Sequence, residues 1–200
     1  MEIIRLIQGV FQTNTYILKE GNDIIIIDPA GKVSKIEEHL NNKPLSVLLT
    51  HGHFDHIKCV DDLYKKYQMD IYMMEEDLKL TDPKDSKINN CFMGLTASIS
   101  SPIRYLSEGI MNIGSFRFEV IKTPGHTKGS CIYVFDDEIF TGDTLFKNSA
   151  GRTDLYGGSE SELKQSLKIF KTFNKDYHIY PGHEDDTLLS YELLNNYYLR

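Results

Sequence analysis

Cysteine is scarce in this chain. Cys59, Cys91 and Cys131 are the only three, they lie far apart, and no two form a C-x-x-C pair. An odd number of isolated cysteines reads as free thiols in a reducing cytoplasm. No motif histidine stands beside any of them as a nucleophile's base would. Long apolar runs are also lacking. The longest, "IIII" (24–27) and "VLL" (47–49), are strand-sized, whereas a membrane-spanning helix needs about 20 apolar residues. The N-terminal "MEIIRLIQGV" carries charges at residues 2 and 5 and has no long apolar centre, so it is not expected to be a secretory signal. Positive charge is in deficit, with 22 Lys and Arg against 29 Asp and Glu and a net charge of −7. Non-specific nucleic-acid binding needs a basic surface to displace counterions. The 12 Tyr and 10 Phe are not interleaved with a basic patch. Neither a nucleic acid nor a membrane is therefore expected as a partner. There is no internal repeat and no low-complexity tract.

What remains is an ordinary globular composition, 40% hydrophobic and 26% charged over 200 residues. That length suits one domain, 1–200, with enough chain to bury a core. The first fifty residues read as β-rich. "EIIRLIQ" is a strand, and "TNTYILKE" and "DIIIIDPA" flank the hairpin signal "GN" at 21–22. Residues 24–27 lack polar alternation, which predicts a strand buried on both faces. Helical periodicity covers 33–41, "PLSVLLT" is a strand, and a helix is expected from about residue 56 with Ile57, Val60, Leu63 and Tyr64 on one face. The turn-rich stretch 81–102 reads as an inserted loop or lid. Strands follow at 115–123, 130–135 and 138–142. Ser159 and Glu162 have capping-box spacing ahead of a helix, "YHIYP" is a last strand, and "DTLLSYELLNNYYL" a last helix. Two similar halves with hairpin-joined strands predict an α+β fold, a β-sandwich covered by helices on both outer faces, rather than a doubly wound parallel sheet.

Four predicted strands end on metal-competent side chains. "VLLT" leads into His51, Gly52, His53, Phe54, Asp55 and His56. "VIKT" leads into Pro124, Gly125 and His126, "IFT" into Gly142 and Asp143, and "HIY" into Pro181, Gly182 and His183. Glycine before a ligand permits a tight turn, and loops on a rigid scaffold are where catalytic groups collect. Imidazole and carboxylate suit zinc, iron and manganese. His51 and His53, two residues apart in extended chain, share a face and can grip one ion. Asp55 and His56, expected at the start of the next helix, point elsewhere and suit a second. Seven ligands exceed one tetrahedral site and match two ions sharing a carboxylate. His39 and His178 stand alone and read as surface or core residues.

"THGHFDH", "TPGHTKGS", "FTGDTLF" and "YPGHE" resemble the motifs of the metallo-β-lactamase superfamily, and "NTYIL" and "IIIDPAG" resemble its opening segment. The resemblance implies an αββα sandwich with metals at one edge. It implies that His51, His53 and His126 hold one divalent ion, that Asp55, His56 and His183 hold the other, and that Asp143 bridges them. Zinc is the expected metal, with iron or manganese as substitutes. Asp28 would support the ligands from behind, and Asp55 would also orient the hydroxide that such a pair of ions generates at neutral pH.

A carboxylate at 143 is similar to the hydrolases of this superfamily, where zinc β-lactamases place cysteine. His53 separates the chain from flavodiiron-type reductases, which carry Glu there. The chain is too short for the large insertion of the nuclease branch. "GRTD" (151–154) resembles small glyoxalase-II-like thioester hydrolases, and equally the persulfide dioxygenases, which use a single iron. The expected activity is hydrolysis of an S-acylglutathione-type or other small acyl-thiol substrate. The alternatives are an iron persulfide dioxygenase or a lactone or ester hydrolase on the same metals. Lys147, Arg152 and Tyr156 are candidate substrate residues, although Arg152 and Asp154 could instead form a structural ion pair. Glutathione hydrolases of this type carry a basic C-terminal clamp. Here Arg200 is the only Lys or Arg after His183, so the thiol carrier stays open.

Overall fold

The computed structural model describes residues 1–200, the side chain of Ile88 excepted. Its frame is two six-stranded sheets. The first half of the chain supplies β1 (Glu2–Gln8), β2 (Thr13–Glu20), β3 (Asp23–Ile27), β4 (Ser46–Leu48) and β5 (Asp70–Met73). Helices α1 (Val33–Glu37) and α2 (Val60–Tyr67) interrupt them. After α3 (Leu78–Thr81), α4 (Ser86–Asn89) and a small ribbon of β6 (Cys91–Phe92) and β7 (Leu95–Thr96), strand β8 (Arg104–Tyr105) closes the first sheet in the order β1-β2-β3-β4-β5-β8. The second half supplies β9 (Gly109–Ile113), β10 (Phe116–Lys122), β11 (Cys131–Phe135) and β12 (Glu138–Gly142). A ribbon of β13 (Leu145–Phe146) and β14 (Ser149–Ala150) follows, then α5 (Glu160–Ser166), β15 (His178–Pro181), β16 (Thr187–Leu188) and α6 (Leu189–Asn195). The second sheet runs β16-β15-β12-β11-β10-β9.

The four isoleucines of β3 show why the sheets stack. Side chains alternate along a strand. Ile25 and Ile27 face the other sheet, against Phe116, Tyr133 and Phe140. Ile24 and Ile26 face outward, onto Ile36 of α1 and Val60 and Leu63 of α2. All four are at most 1% exposed, and each full burial contributes roughly 1.5–3 kcal/mol. Strand β11 repeats the pattern. Cys131, Tyr133 and Phe135 face inward, while Ile132 and Val134 meet Leu163, Leu167 and Phe170 on the outer helical layer. Helix, sheet, sheet and helix form the αββα order expected from the sequence.

Several boundaries differ from expectation. α1 stops at Glu37 rather than 41, and α2 begins at Val60, so Asp55 and His56 sit in the turn ahead of the helix, closed by His56 N donating to His53 O at 3.0 Å. Residues 187–188 pair with β15 before α6 starts. β5 and β9 are strands beyond those expected from the sequence. The stretch 81–102, expected as an inserted loop or lid, holds α4 and the β6–β7 ribbon and is tied to the histidine loop, as described below. Among the described residues no helix is long and apolar enough to cross a membrane.

Strand direction gathers the site. β3 and β4 are parallel, as are β12 and β15. β10 is antiparallel to β11 and β11 to β12, so β10 runs with β12. The carboxyl ends of these strands share one edge of the sandwich. Bonds between the sheets lock that edge: Cys131 N donates to Thr50 O at 2.9 Å, Asn14 N to Gly182 O at 2.7 Å and the Tyr133 hydroxyl to Leu49 O at 2.6 Å.

Candidate metal centre

All seven residues marked by the sequence motifs meet at this edge. The ligand atoms of His51, His53 and His126 lie within 4.8 Å of one another, and so do those of Asp55, His56 and His183. Asp143 stands between the two trios. Its carboxylate is 3.4 Å from His126 Nε2, 3.4 Å from His56 Nε2 and 3.5 Å from His183 Nε2. Two glycines allow this approach. Gly142 adopts φ +48, and a Cβ there would stand 2.3 Å from Thr50 Oγ1. A Cβ on Gly182 would stand 2.2 Å from Asp143 Oδ1 and 2.7 Å from His56 Cε1.

Backbone and side-chain partners set the tautomers. The His126 Nδ1 proton is placed by the Arg152 carbonyl at 2.7 Å, and that of His183 by the Phe11 carbonyl at 3.0 Å. Thr50 Oγ1 donates to Asp28 Oδ2 at 2.6 Å and so accepts from His51 Nδ1 at 3.0 Å. Asp28 Oδ2 also takes the His56 Nδ1 proton at 2.9 Å, while its Oδ1 accepts from Thr50 N. Each of these four rings therefore turns Nε2 toward the cluster with a lone pair available when neutral, an arrangement typical of ligating histidines. His53 Nδ1 lies 2.8 Å from His126 Nε2. His51 Nε2 and Asp143 Oδ1 are buried with no hydrogen-bond partner. Buried polar atoms are normally satisfied, so these two orphans, amid oxygen and nitrogen donors alone, fit divalent cations.

Charge divides the trios. Burial holds the imidazoles of His51 and His53 well below the ordinary histidine range. Burial also opposes charge on His56, but the carboxylates of Asp55, Asp143 and Asp28 outweigh it and push the group up to about 10. His183 is raised against burial, chiefly by Asp143. Burial likewise opposes charge on Asp55, yet His56 and His183 hold its carboxyl below its ordinary range, and Thr13 Oγ1 anchors Oδ2 at 2.8 Å.

Three supporting residues lie outside the quoted motifs: Thr13, named above, Asp77 and Asn90. Asp77, 1% exposed, accepts from Gly52 N at 2.8 Å, Thr127 Oγ1 at 2.7 Å and Gly129 N at 2.7 Å. It thereby joins the His51–His53 loop to the His126 loop. Asn90, from the stretch read as a lid, accepts from Phe54 N and donates to the carbonyls of Gly52 and Leu80.

The cleft over the cluster is about 110 Å³, walled by Phe11, Phe54, Phe92 and Leu155 with Arg152 at its rim. The Arg152 guanidinium lies 5.1 Å from the Phe92 ring centre and pairs with Asp154 at 2.7 Å, so the ion pair read from "GRTD" forms while Arg152 also lines the cleft. Lys147, exposed between β13 and β14, and Tyr156, 43% exposed, lie outside the cleft lining. Two of the thiols are buried, and burial pushes Cys59 up to about 12, which makes it a poor nucleophile at neutral pH.

A four-layer αββα sandwich with a histidine and aspartate cluster at one edge defines a class of metal-dependent proteins. The chain belongs to the metallo-beta-lactamase superfamily, whose family model matches residues 8–183. It is 35% identical over 171 residues to "Probable metallo-hydrolase YqgX" of Bacillus subtilis, covering 82% of this chain and 80% of that protein. It is 30% identical over 174 residues to "Probable polyketide biosynthesis zinc-dependent hydrolase PksB" of the same organism, covering 84% and 71%. Among solved structures it is similar to the di-iron-bound form of TTHA1623 (TM-score 0.88, 31% identity, 98% and 100% of the two chains). It is equally similar to the B3 metallo-beta-lactamase BLEG-1 (0.88, 32%, 99% of each). ETHE1 from Myxococcus xanthus is more distant (0.75, 25%, 98% and 84%).

Proposed function

We propose that this metallo-hydrolase is binuclear, with His51, His53 and His126 holding one divalent ion, Asp55, His56 and His183 the other, and Asp143 shared. The observation that carries the assignment is the Asp143 carboxylate, within 3.5 Å of imidazoles from both trios and with one oxygen buried and unpartnered. Two ions so held supply Lewis acidity and bring the pKa of a water near neutrality. Asp55, anchored by Thr13, orients that water, while Phe11, Phe54 and Phe92 exclude bulk solvent from the reacting carbonyl. Asp28 and Thr50 fix His56 and His51 in their ligating orientation.

The substrate we propose is a small acyl-thiol, in the manner of glyoxalase-II-like hydrolases. The narrow aromatic cleft suits a short acyl group, and water attack suits a chain whose buried thiols are poor nucleophiles. Zinc, the metal in the name of PksB, is the first expectation. A second reading, an iron persulfide dioxygenase, has the support of the "GRTD" segment and the likeness to ETHE1. Metal analysis and two assays on one preparation separate them. Two ions per chain, hydrolysis of S-lactoylglutathione or another acyl-thiol, and no oxygen uptake with glutathione persulfide are expected. One iron per chain with persulfide-dependent oxygen uptake would overturn the hydrolase reading. A β-lactam is the natural control, given the name borne by BLEG-1.

Acid should strip the two ions in separate steps. Below its raised pKa of about 10, His56 in the metal-free protein keeps a proton that an incoming ion must displace, and His183 is raised as well. Affinity of that trio therefore falls throughout the neutral range as pH drops. His51 and His53 sit below the histidine range, so protons compete for them only in stronger acid. A chelator titration across descending pH should release one ion per chain before the other. Release of both in a single step would contradict the charge division between the trios.

A further inference from the structure

Beside the metal cleft lies a larger groove of about 560 Å³, a size typical of small-molecule sites. It shares Phe11, Phe54 and Asp55 with the cleft, so the two cavities adjoin. Ile7 and Val10, 56% and 78% exposed, form an apolar strip along it. The β1–β2 loop thus presents to solvent side chains that ordinarily withdraw from it.

The groove's charge runs against that of the whole molecule. The chain carries −7, yet Lys32, Lys35 and Lys58 line this groove, and its one acid, Asp55, is turned to Thr13 and His183. Lys35 is paired with Glu38 at 2.8 Å. Among the described residues, Lys32 and Lys58 take part in no ion pair. The groove also carries an unmet donor. Gln8 is 9% exposed, and its Oε1 accepts from Lys32 N at 3.0 Å. That bond fixes the amide so that Nε2 is the remaining donor, and Nε2 is buried with no acceptor. Such a group is costly to leave unpaired, and its side chain lines the groove.

We propose that this groove seats the leaving-group half of the substrate, an extended anion whose carboxylates or phosphates meet Lys32 and Lys58 while its apolar portion lies along Ile7 and Val10. Which end of the molecule reacts rests on the hydrolase reading above. The carrier is then selected at the amino-terminal edge of the site, by residues of the β1–β2 loop, the start of α1 and the turn before α2.

Binding of inert thioethers to the metal-loaded protein tests this without need of turnover. The probes are S-hexylglutathione, which carries carboxylates, S-hexyl-coenzyme A, which carries phosphates, and neutral S-hexyl-N-acetylcysteamine. At least one anionic probe should bind about tenfold more tightly than the neutral one, and its advantage should shrink with added salt. The double variant Lys32→Glu, Lys58→Glu should abolish that advantage while leaving the neutral probe's affinity and the melting temperature as in wild type. The stronger anionic probe identifies the carrier chemistry. Equal binding of all three probes, or an anionic preference that survives the double reversal, would overturn the proposal. The corresponding thioesters are assayed in parallel. If wild type hydrolyses none of them, the hydrolase reading falls, while the thioether affinities still decide the groove.

Discussion

Asp143→Asn is expected to cut hydrolytic activity by about a thousandfold or more and to lower the metal content from two ions per chain to one or none. The magnitude follows from the several kcal/mol that Lewis-acid stabilisation contributes to a transition state, at about 1.4 kcal/mol per decade of rate. Asn is nearly isosteric with Asp, so the close approach of Gly182 to this side chain is preserved. What is lost is charge and one acceptor, at the one position within 3.5 Å of imidazoles from both trios. The variant should fold, because the three apolar layers do not include Asp143. His56 should also titrate lower, having lost one of the three carboxylates that raise it. Metal analysis, kcat/KM and thermal unfolding on the same preparation separate a site defect from a folding defect. Full metal content with activity within about threefold of wild type, less than 0.7 kcal/mol, would remove Asp143 from the centre.

The sandwich and the cluster were legible for one shared reason: both leave a local trace. Four consecutive isoleucines mark a strand buried on two faces, and "GN" marks the turn that makes its neighbour antiparallel. "HGHFDH", "PGH" and "GD" after apolar strands mark loops at one sheet edge. The elements that escaped leave no such trace. Strand β9, "GIMNI", alternates between intermediate and exposed positions, so it lacks an apolar face to mark it, although the two-residue turn Gly114–Ser115 joins it to β10. The start of the helix after His56 was read too early because Ile57 packs with Val60 and Leu63 on one apolar patch while still in the turn. Thr13 and Thr50 act through single hydroxyls, and Phe11 and Arg152 through carbonyls that any residue could offer. The turn-forming residues of 81–102 also build a clamp. Asn90 spends its amide on three backbone groups around the histidine loop.

Asp77 is the largest of these omissions, and its removal should have the second large effect. In the sequence it is one acid in "MEEDLKL", indistinguishable from a helix-start carboxylate. In the fold it joins Gly52 N, Thr127 Oγ1 and Gly129 N. Asp77→Ala leaves three donors, in a site with the carboxylate 1% exposed, without their acceptor. Each such orphan costs about 1–3 kcal/mol. Relaxation recovers part of that sum, so a net loss of about 2–4 kcal/mol is expected, a shift of roughly 5–15 °C in melting temperature for a chain of this size. Because Gly52 separates His51 from His53, and Thr127 follows His126, the same change is expected to loosen all three histidines proposed to hold one ion. A loss of about 10–100-fold in affinity for that ion is expected, as for other supports behind metal ligands. Asp77→Asn should fall between. Its carbonyl can replace Oδ2 and serve Gly52 and Thr127, which sets its NH2 against the Gly129 N–H and leaves one donor opposed instead of three unmet. The order Asp, Asn, Ala in both melting temperature and metal affinity is the signature of a clamp that works by accepting hydrogen bonds. If Asn and Ala proved equally harmful, negative charge near His126 would be the operative property. If Ala melted within about 2 °C of wild type and kept both ions, less than 1 kcal/mol, the link between the two histidine loops would lie elsewhere, in the bond from Cys131 N to Thr50 O.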